Sequence, residues 1–165
     1  MNTNSKLRVA LFFGGVSSEH DVSCVSASAW LRALGQEPCA DKYEVFPVGI
    51  TKDGRWLACR PTPEAMADGS WEQGDCTPCV LSPDRKDHGI WLLKDGRAEL
   101  VHIDICAPVM HGKNGEDGTI QGLFERRASQ PRDRFQFVRN GYFTPDSKHE
   151  GVYNRIVTLK DSFKL

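Results

Sequence analysis

A nearly continuous apolar run, Leu7 to Phe13, ends at the glycine pair Gly14-Gly15, and this feature most restricts what the chain can fold into. A short apolar stretch without alternation is typical of a strand covered on both faces. Residues Val16 to Leu34 then have helical features, with a serine of Ser17-Ser18 as the expected N-cap and Gly35 as the expected end. A buried strand that leads directly into a helix predicts an α/β fold.

Further strand-like segments follow this first strand and helix. Tyr43 to Ile50 predicts a second strand, in which Pro47 favours an edge or irregular position. Asp53-Gly54 and Asp95-Gly96 each lie between strand-like runs, which is typical of hairpin turns. These hairpins are expected to be inserted into the α/β framework.

The middle of the chain returns to a strand–loop–helix pattern. Residues 60–89 are rich in Pro, Gly and Asp and predict loops with a short helix near Pro63 to Ala67. Leu100 to Met110 predicts a strand, and a Gly-rich loop then leads into a helix that begins at Thr119. The alternation predicts an open, mainly parallel α/β sheet with ligands at the carboxyl ends of its strands.

The character of the sequence changes after Arg127. Residues 128–133 resemble a linker, and the segments Arg134 to Val138, Gly141 to Thr144 and Val152 to Leu159 predict short strands. We therefore expect an α/β domain over residues 1–127 and a short all-β tail over residues 128–165. The alternation in the first tail segment favours a separate hairpin over a strand added to the main sheet.

Composition narrows the class of protein. The net charge of −1 provides no long-range attraction to nucleic acid or anionic lipid, and no apolar run approaches the roughly 20 residues of a membrane helix. The polar start, Met1 to Lys6, does not resemble a signal peptide, so we expect a cytoplasmic protein. The six cysteines, including the pair Cys76 and Cys79, are then expected to be free thiols, and no metal site is predicted.

The first loop with candidate functional residues is Gly14 to Ser23. The third glycine of the dinucleotide-binding fingerprint is absent. Glu19 and Asp21 beside a helix start would weaken phosphate binding and favour a cationic group, although acidic residues there also suit the helix dipole.

The second loop is His111 to Gly122, and it also follows a strand and precedes a helix. Both loops are therefore expected at the same edge of the sheet. His111 is placed to contact a carboxylate, although a single histidine is more often structural. Glu116 and Asp117 are candidate helix caps as well as candidate ligands.

The segments GGVSSEHDVS and HGKNGEDGTIQGLFE, with the hairpins between them, resemble the paired signatures of D-alanine–D-alanine ligases from about Leu7 to Glu125. The resemblance implies an ATP-grasp enzyme of peptidoglycan biosynthesis that uses ATP and Mg²⁺. Such enzymes phosphorylate the carboxylate of one D-alanine, and the amine of a second then displaces phosphate. The resemblance also implies D-alanine as a ligand and a possible homodimer.

The same resemblance implies roles for particular residues. Glu19 would bind the ammonium of the first D-alanine, Val22 would pack near its methyl group, and His111 would lie near its carboxylate. Gly15 and Gly112 would allow close approach of the backbone. Glu19 and His111 are thus the expected catalytic residues.

The ATP-binding lysines and magnesium ligands of the family have no counterpart here, so no cofactor is expected to bind and the chain alone should be inactive. The tail, about Arg132 to Lys164, instead resembles the carboxyl-terminal end of glutaminyl-tRNA synthetases. An alternative function is therefore a nucleic-acid-binding module, which the alternating aromatic residues do not favour because they more often form a core.

Overall fold

The computed structural model describes residues 6–128 and, in the tail, the strands at residues 135–137, 141–145 and 153–157. The chain divides into two compact units, Met1–Asp117 and Gly118–Leu165. A domain boundary near residue 128, inferred from composition, stays a prediction. Among the helices of residues 6–128, none combines the length and the apolar character that crossing a bilayer requires.

The first unit alternates helices and strands before it becomes mainly β. Its elements are β1 (Leu7–Gly14), α1 (His20–Leu34), β2 (Tyr43–Ile50), β3 (Trp56–Cys59), α2 (Pro63–Asp68), β4 (Cys76–Leu81), β5 (Gly89–Lys94), β6 (Arg97–His102) and β7 (Ile105–Pro108). Two 3-10 turns, Ser70–Gln73 and Arg85–Asp87, precede β4 and β5.

These strands form one mixed sheet in the order β6-β5-β4-β3-β2-β1-β7. β1 pairs in parallel with β2 on one side and with β7 on the other. The strands from β2 to β6 are joined by antiparallel pairings. The predicted α/β class is confirmed, but the mainly parallel sheet was wrong. The physical reason is that the hairpin strands join the main sheet, and each of them adds an antiparallel pairing to it.

β1 is the centre of the core, as the apolar run predicted. From Val9 to Gly14 every residue is buried. Phe12 packs edge-on against Trp56 with 5.6 Å between ring centroids, and Phe13 packs against Trp71 at 4.9 Å. Successive side chains of a strand point to opposite faces, so both faces of β1 are covered.

Pro47 lies in an interior strand, so of the two predicted positions, edge or irregular, the edge was wrong. The β3 ladder begins only at Val48, which pairs with Ala58. Pro47 thus lies beyond the end of that ladder, where a missing N–H removes no ladder hydrogen bond on this side. The strand is interior, but its environment at the proline resembles an edge.

Two further predictions for the middle of the chain need correction. Residues 60–89 do contain the predicted short helix, α2, but they also contain β4, which the Pro- and Gly-rich composition concealed. The predicted strand Leu100 to Met110 is divided at Ile103 and Asp104 into β6 and β7, which lie at opposite ends of the sheet order. The turn predicted at Asp95-Gly96 is confirmed, because both residues have positive φ between β5 and β6.

The prediction that all six cysteines are free thiols was wrong. Cys59 and Cys76 form a disulfide with a Cα–Cα distance of 4.4 Å. The register of β3 and β4 places the two residues directly opposite each other. A Cα separation near 4.5 Å is that of a non-hydrogen-bonded antiparallel pair, so the sheet itself brings the sulfurs within bonding reach.

The second unit contains α3 (Thr119–Ala128), β8 (Phe135–Phe137), β9 (Gly141–Pro145) and β10 (Tyr153–Val157). The strands form an antiparallel sheet in the order β10-β9-β8. The ladder of β8 runs to β9, with Phe135 opposite Phe143, as expected for the favoured hairpin. Its separation from the main sheet stays a prediction. Predicted strand ends at Arg134, Val138 and Leu159, and most of the predicted linker, lie outside the described residues.

Candidate functional site

The two loops singled out from the sequence leave the same edge of the sheet. β1 ends at Gly14 and its parallel neighbour β7 ends at Pro108. Gly15 has φ +108°, and a Cβ on it would lie 2.8 Å from the Met110 methyl carbon. The first loop therefore passes close to the second only because this position has no side chain.

Ser23 ties the ends of the two strands together. Its buried hydroxyl accepts the Gly14 N–H at 2.8 Å and donates to the Val109 carbonyl at 2.5 Å. Ser23 lies on the first turns of α1, so one side chain links β1, α1 and the segment after β7. The sequence analysis did not single out Ser23, because nothing local shows which backbone groups a helical serine will meet.

The first loop is also braced by His20, the first residue of α1. Its buried ring nitrogen Nδ1 lies 3.0 Å from the Gly15 carbonyl oxygen, so this nitrogen carries the proton that it donates. The predicted serine N-cap was wrong. Glu19 occupies the N-cap position, and the Ser17 hydroxyl accepts the N–H of Glu19 itself, one residue before the helix begins.

Glu19 faces the backbone of the second loop. Gly112 has φ +68°, and a Cβ there would lie 2.6 Å from the Ser17 hydroxyl oxygen and 3.4 Å from the Glu19 carboxyl carbon. The glycine leaves the exposed Glu19 carboxylate directly against the chain next to His111. These three predicted site residues, Glu19, His111 and Gly112, are therefore brought together.

His111 is half-buried and has polar neighbours on both ring nitrogens. Nε2 lies 3.0 Å from the Ser26 hydroxyl, and Nδ1 lies 3.8 Å from a Glu116 carboxylate oxygen. The second distance is too long for a hydrogen bond, so Glu116 is a neighbour of the ring and not a hydrogen-bond partner at this distance. Glu116 is near His111, whereas the Asp117 carboxylate accepts the N–H of Asn114 within the loop. Ser26 was not predicted, since its role depends on a contact between distant residues.

Asp21 and Val22 lie on the exposed first turn of α1. The Asp21 carboxylate is 2.9 Å from the Lys52 ammonium, whose hydrogen bond holds the pKa of Asp21 below its usual value. Asp21 therefore already has a cationic partner, and Glu19 is the better candidate to bind a cation from solution. The Val22 side chain is 53% exposed and available to a ligand.

The chemistry of the site favours a cation. One ligand atom each from Glu19, His111 and Glu116 lies within 4.8 Å of the others, an arrangement that could hold an ammonium group or a metal ion. No metal site had been expected from the sequence. An imidazole beside two carboxylates suits Zn²⁺ better than Mg²⁺, which prefers oxygen ligands.

Comparisons with known proteins match the part of the chain that carries this site. The family described as "D-ala D-ala ligase N-terminus" matches residues 8–130. The D-alanine–D-alanine ligase of Caldicellulosiruptor bescii is 46% identical over 121 residues, which is 73% of this chain and 32% of that protein. A putative D-alanine–D-lactate ligase of Streptomyces coelicolor is 48% identical over 124 residues, with the same coverage of both chains.

The fold comparison agrees with the sequence comparison. The crystal structure of the VanG D-Ala:D-Ser ligase from Enterococcus faecalis superposes with a TM-score of 0.66 at 34% identity. The match covers 74% of this chain and 34% of that one. The chain thus spans about a third of the length of the relatives that it matches.

Proposed function

The chain belongs to the family of D-ala D-ala ligase N-terminal domains, and from this membership we propose that it binds D-alanine at the site formed by Glu19 and His111. The observation that carries the proposal is the convergence of a carboxylate, an imidazole and a close-packed glycine at one sheet edge. D-alanine offers complementary groups, namely an ammonium, a carboxylate and one methyl group. We propose residues 1–127 as the ligase-type portion.

The proposed orientation follows from the charges. The ammonium binds the Glu19 carboxylate, which Gly112 leaves unobstructed. The substrate carboxylate lies toward the imidazole of His111, which Ser26 holds by a hydrogen bond to Nε2. The exposed Val22 side chain covers the methyl group. Gly15 keeps the first loop close to Met110 and so shapes the floor of the site.

The relatives differ in the second substrate that their names give. The relatives are named as ligases of D-alanine to D-alanine, D-lactate or D-serine. D-alanine is the component common to these names, and the site described above is the one we propose for it.

ATP and Mg²⁺, which the family resemblance implies, do not fit the described residues. The carboxylates of Glu19 and Glu116 line the site and would repel phosphate groups. Neither loop carries the full G-x-x-x-x-G-K-[ST] pattern that holds phosphates, because Gly112-Lys113 is followed by Asn114 instead of a serine or threonine. We therefore propose that this chain supplies the amino-acid subsite and that nucleotide chemistry requires groups it does not provide.

A ligand titration tests the proposal. D-alanine added to the isotope-labelled chain should shift the NMR signals of the Gly14–Ser23 and His111–Gly118 loops, and L-alanine should do so less. Glu19→Gln should weaken binding about 10- to 100-fold, the scale of one charged hydrogen bond. Asp21→Asn is the matched control. It removes the same charge two residues along the chain, but the Asp21 carboxylate is already paired with Lys52. Equal losses in both variants would contradict the assignment.

A further inference from the structure

The disulfide Cys59–Cys76 lies where a helical segment leaves the sheet. Cys59 is the last residue of β3 and Cys76 the first residue of β4. Their sequence separation of 17 residues encloses α2 and the 3-10 turn Ser70–Gln73. The bond therefore closes the base of this enclosed segment, residues 60–75.

The two cysteines of the disulfide differ in burial. Cys59 is 5% exposed and belongs to the hydrophobic core with Leu57, Met66 and Trp71. Cys76 is only partly buried and packs at the border of that core. Cys76 is therefore the residue of the pair that lies nearer to solvent.

The neighbouring thiols are poor competitors for this disulfide. Burial raises the pKa of the Cys24 thiol to about 11 and that of the Cys79 thiol to about 12. Because the thiolate is the nucleophile, both remain unreactive near neutral pH. Cys79 also pairs with Leu92 of β5, whereas Cys76 pairs with Cys59 of β3. Attack by these two thiols is therefore disfavoured, and an external thiol is the better candidate nucleophile.

We propose that Cys59 and Cys76 form an exchangeable redox pair and that Cys76 is the site at which a low-molecular-weight thiol such as glutathione attaches. In the first step a glutathione thiolate bonds to the Cys76 sulfur, the Cys59–Cys76 bond breaks, and Cys59 leaves as a thiolate that takes up a proton. In the second step another glutathione thiolate attacks the mixed disulfide. This releases glutathione disulfide and leaves Cys76 as a thiol, so the protein gains two electrons and two protons.

The redox state should change the stability of the enclosed segment without dismantling the fold. Trp71 packs on Phe13, and Met66 is fully buried, so noncovalent contacts still hold the segment in the reduced form. The same core contains Cys24 and Ala27 of α1, the helix that carries Ser23 and Ser26. Opening a loop of this length should lower the folding equilibrium constant on the order of 100-fold. Redox state would thereby adjust how firmly the site is held.

Paired cysteine variants test which sulfur accepts the thiol. Cys59→Ser leaves Cys76 as the thiol of the pair, and Cys76→Ser leaves Cys59. Each variant is incubated with glutathione disulfide, quenched with acid, and mapped by peptide mass spectrometry. We expect glutathione on Cys76 in the first variant and modification of Cys59 at least about tenfold slower in the second. Equal rates at the two positions would overturn the proposal.

The unsubstituted chain provides an independent measurement. Partial reduction by glutathione, followed by rapid alkylation, should trap a mixed disulfide on Cys76, with Cys59 recovered as the alkylated thiol. The partly buried thiols Cys39 and Cys106 report background thiolation. A mixed disulfide on Cys59 would refute the proposal. So would the recovery of Cys59 and Cys76 as thiols from protein that was purified in air without reductant. These readouts do not require D-alanine binding and remain informative if the proposed function fails.

Discussion

Replacing Ser23 by alanine would remove a side chain that connects the end of β1 with the segment that follows β7. The hydroxyl accepts the Gly14 N–H and donates to the Val109 carbonyl, and its residue is completely buried. The substitution therefore removes two hydrogen bonds and leaves a donor and an acceptor without their shared partner. An alanine methyl group cannot replace either contact.

The magnitude follows from the cost of buried polar groups. Leaving one buried donor or acceptor unsatisfied costs about 1–3 kcal/mol, so the two groups together predict a loss of about 2–6 kcal/mol in the free energy of unfolding. A water molecule entering the space left by the hydroxyl would move the result toward the lower figure. The substitution should also loosen the candidate site, because the lost contacts join the two strands from which both loops depart.

Ser28→Ala is the matched control, since Ser28 is also a buried serine of α1. Its hydroxyl donates to the Val25 carbonyl within the same helix, so its removal breaks no link between elements. Urea unfolding followed by tryptophan fluorescence should show a loss below about 1 kcal/mol for this variant. If Ser23→Ala destabilises the chain no more than Ser28→Ala does, the reasoning about the strand link is refuted.

Three further predictions concern the backbone, the missing chemistry and the tail. Gly14→Ala and Gly69→Ala both place a side chain at positive φ, which costs about 1–2 kcal/mol, but only at Gly14 would the Cβ meet a backbone oxygen, that of Ile50. Thermal unfolding should therefore show at least twice the loss of stability for Gly14→Ala, and equal losses would contradict the clash with the Ile50 oxygen. The purified chain with D-alanine, ATP and Mg²⁺ should release ADP no faster than its Glu19→Gln variant, and faster release would show that the chain binds nucleotide. Filter binding at about 150 mM salt should detect only weak, salt-sensitive association with tRNA, and submicromolar preference for one glutamine tRNA would restore the nucleic-acid alternative.

The sequence by itself determined the local features of the first unit. The apolar run predicted β1 within one residue, Gly35 marked the end of α1, and Asp95-Gly96 predicted the turn between β5 and β6. These features depend on side-chain periodicity and on the conformational freedom of glycine, which act over a few residues. The two motif loops were placed correctly at one edge because parallel strands align their carboxyl ends.

The tertiary structure alone decided which distant residues meet. The register between β3 and β4 places Cys59 opposite Cys76, and the approach of the second loop to α1 places Ser26 at His111. Lys52 forms an ion pair with Asp21, whereas Glu19 faces Gly112. The sequence alone does not show which of these two acidic residues is paired. Such contacts depend on strand order and register, where a shift of one residue would turn each side chain to the opposite face. Local sequence patterns do not determine strand order and register, because these depend on packing across the whole sheet.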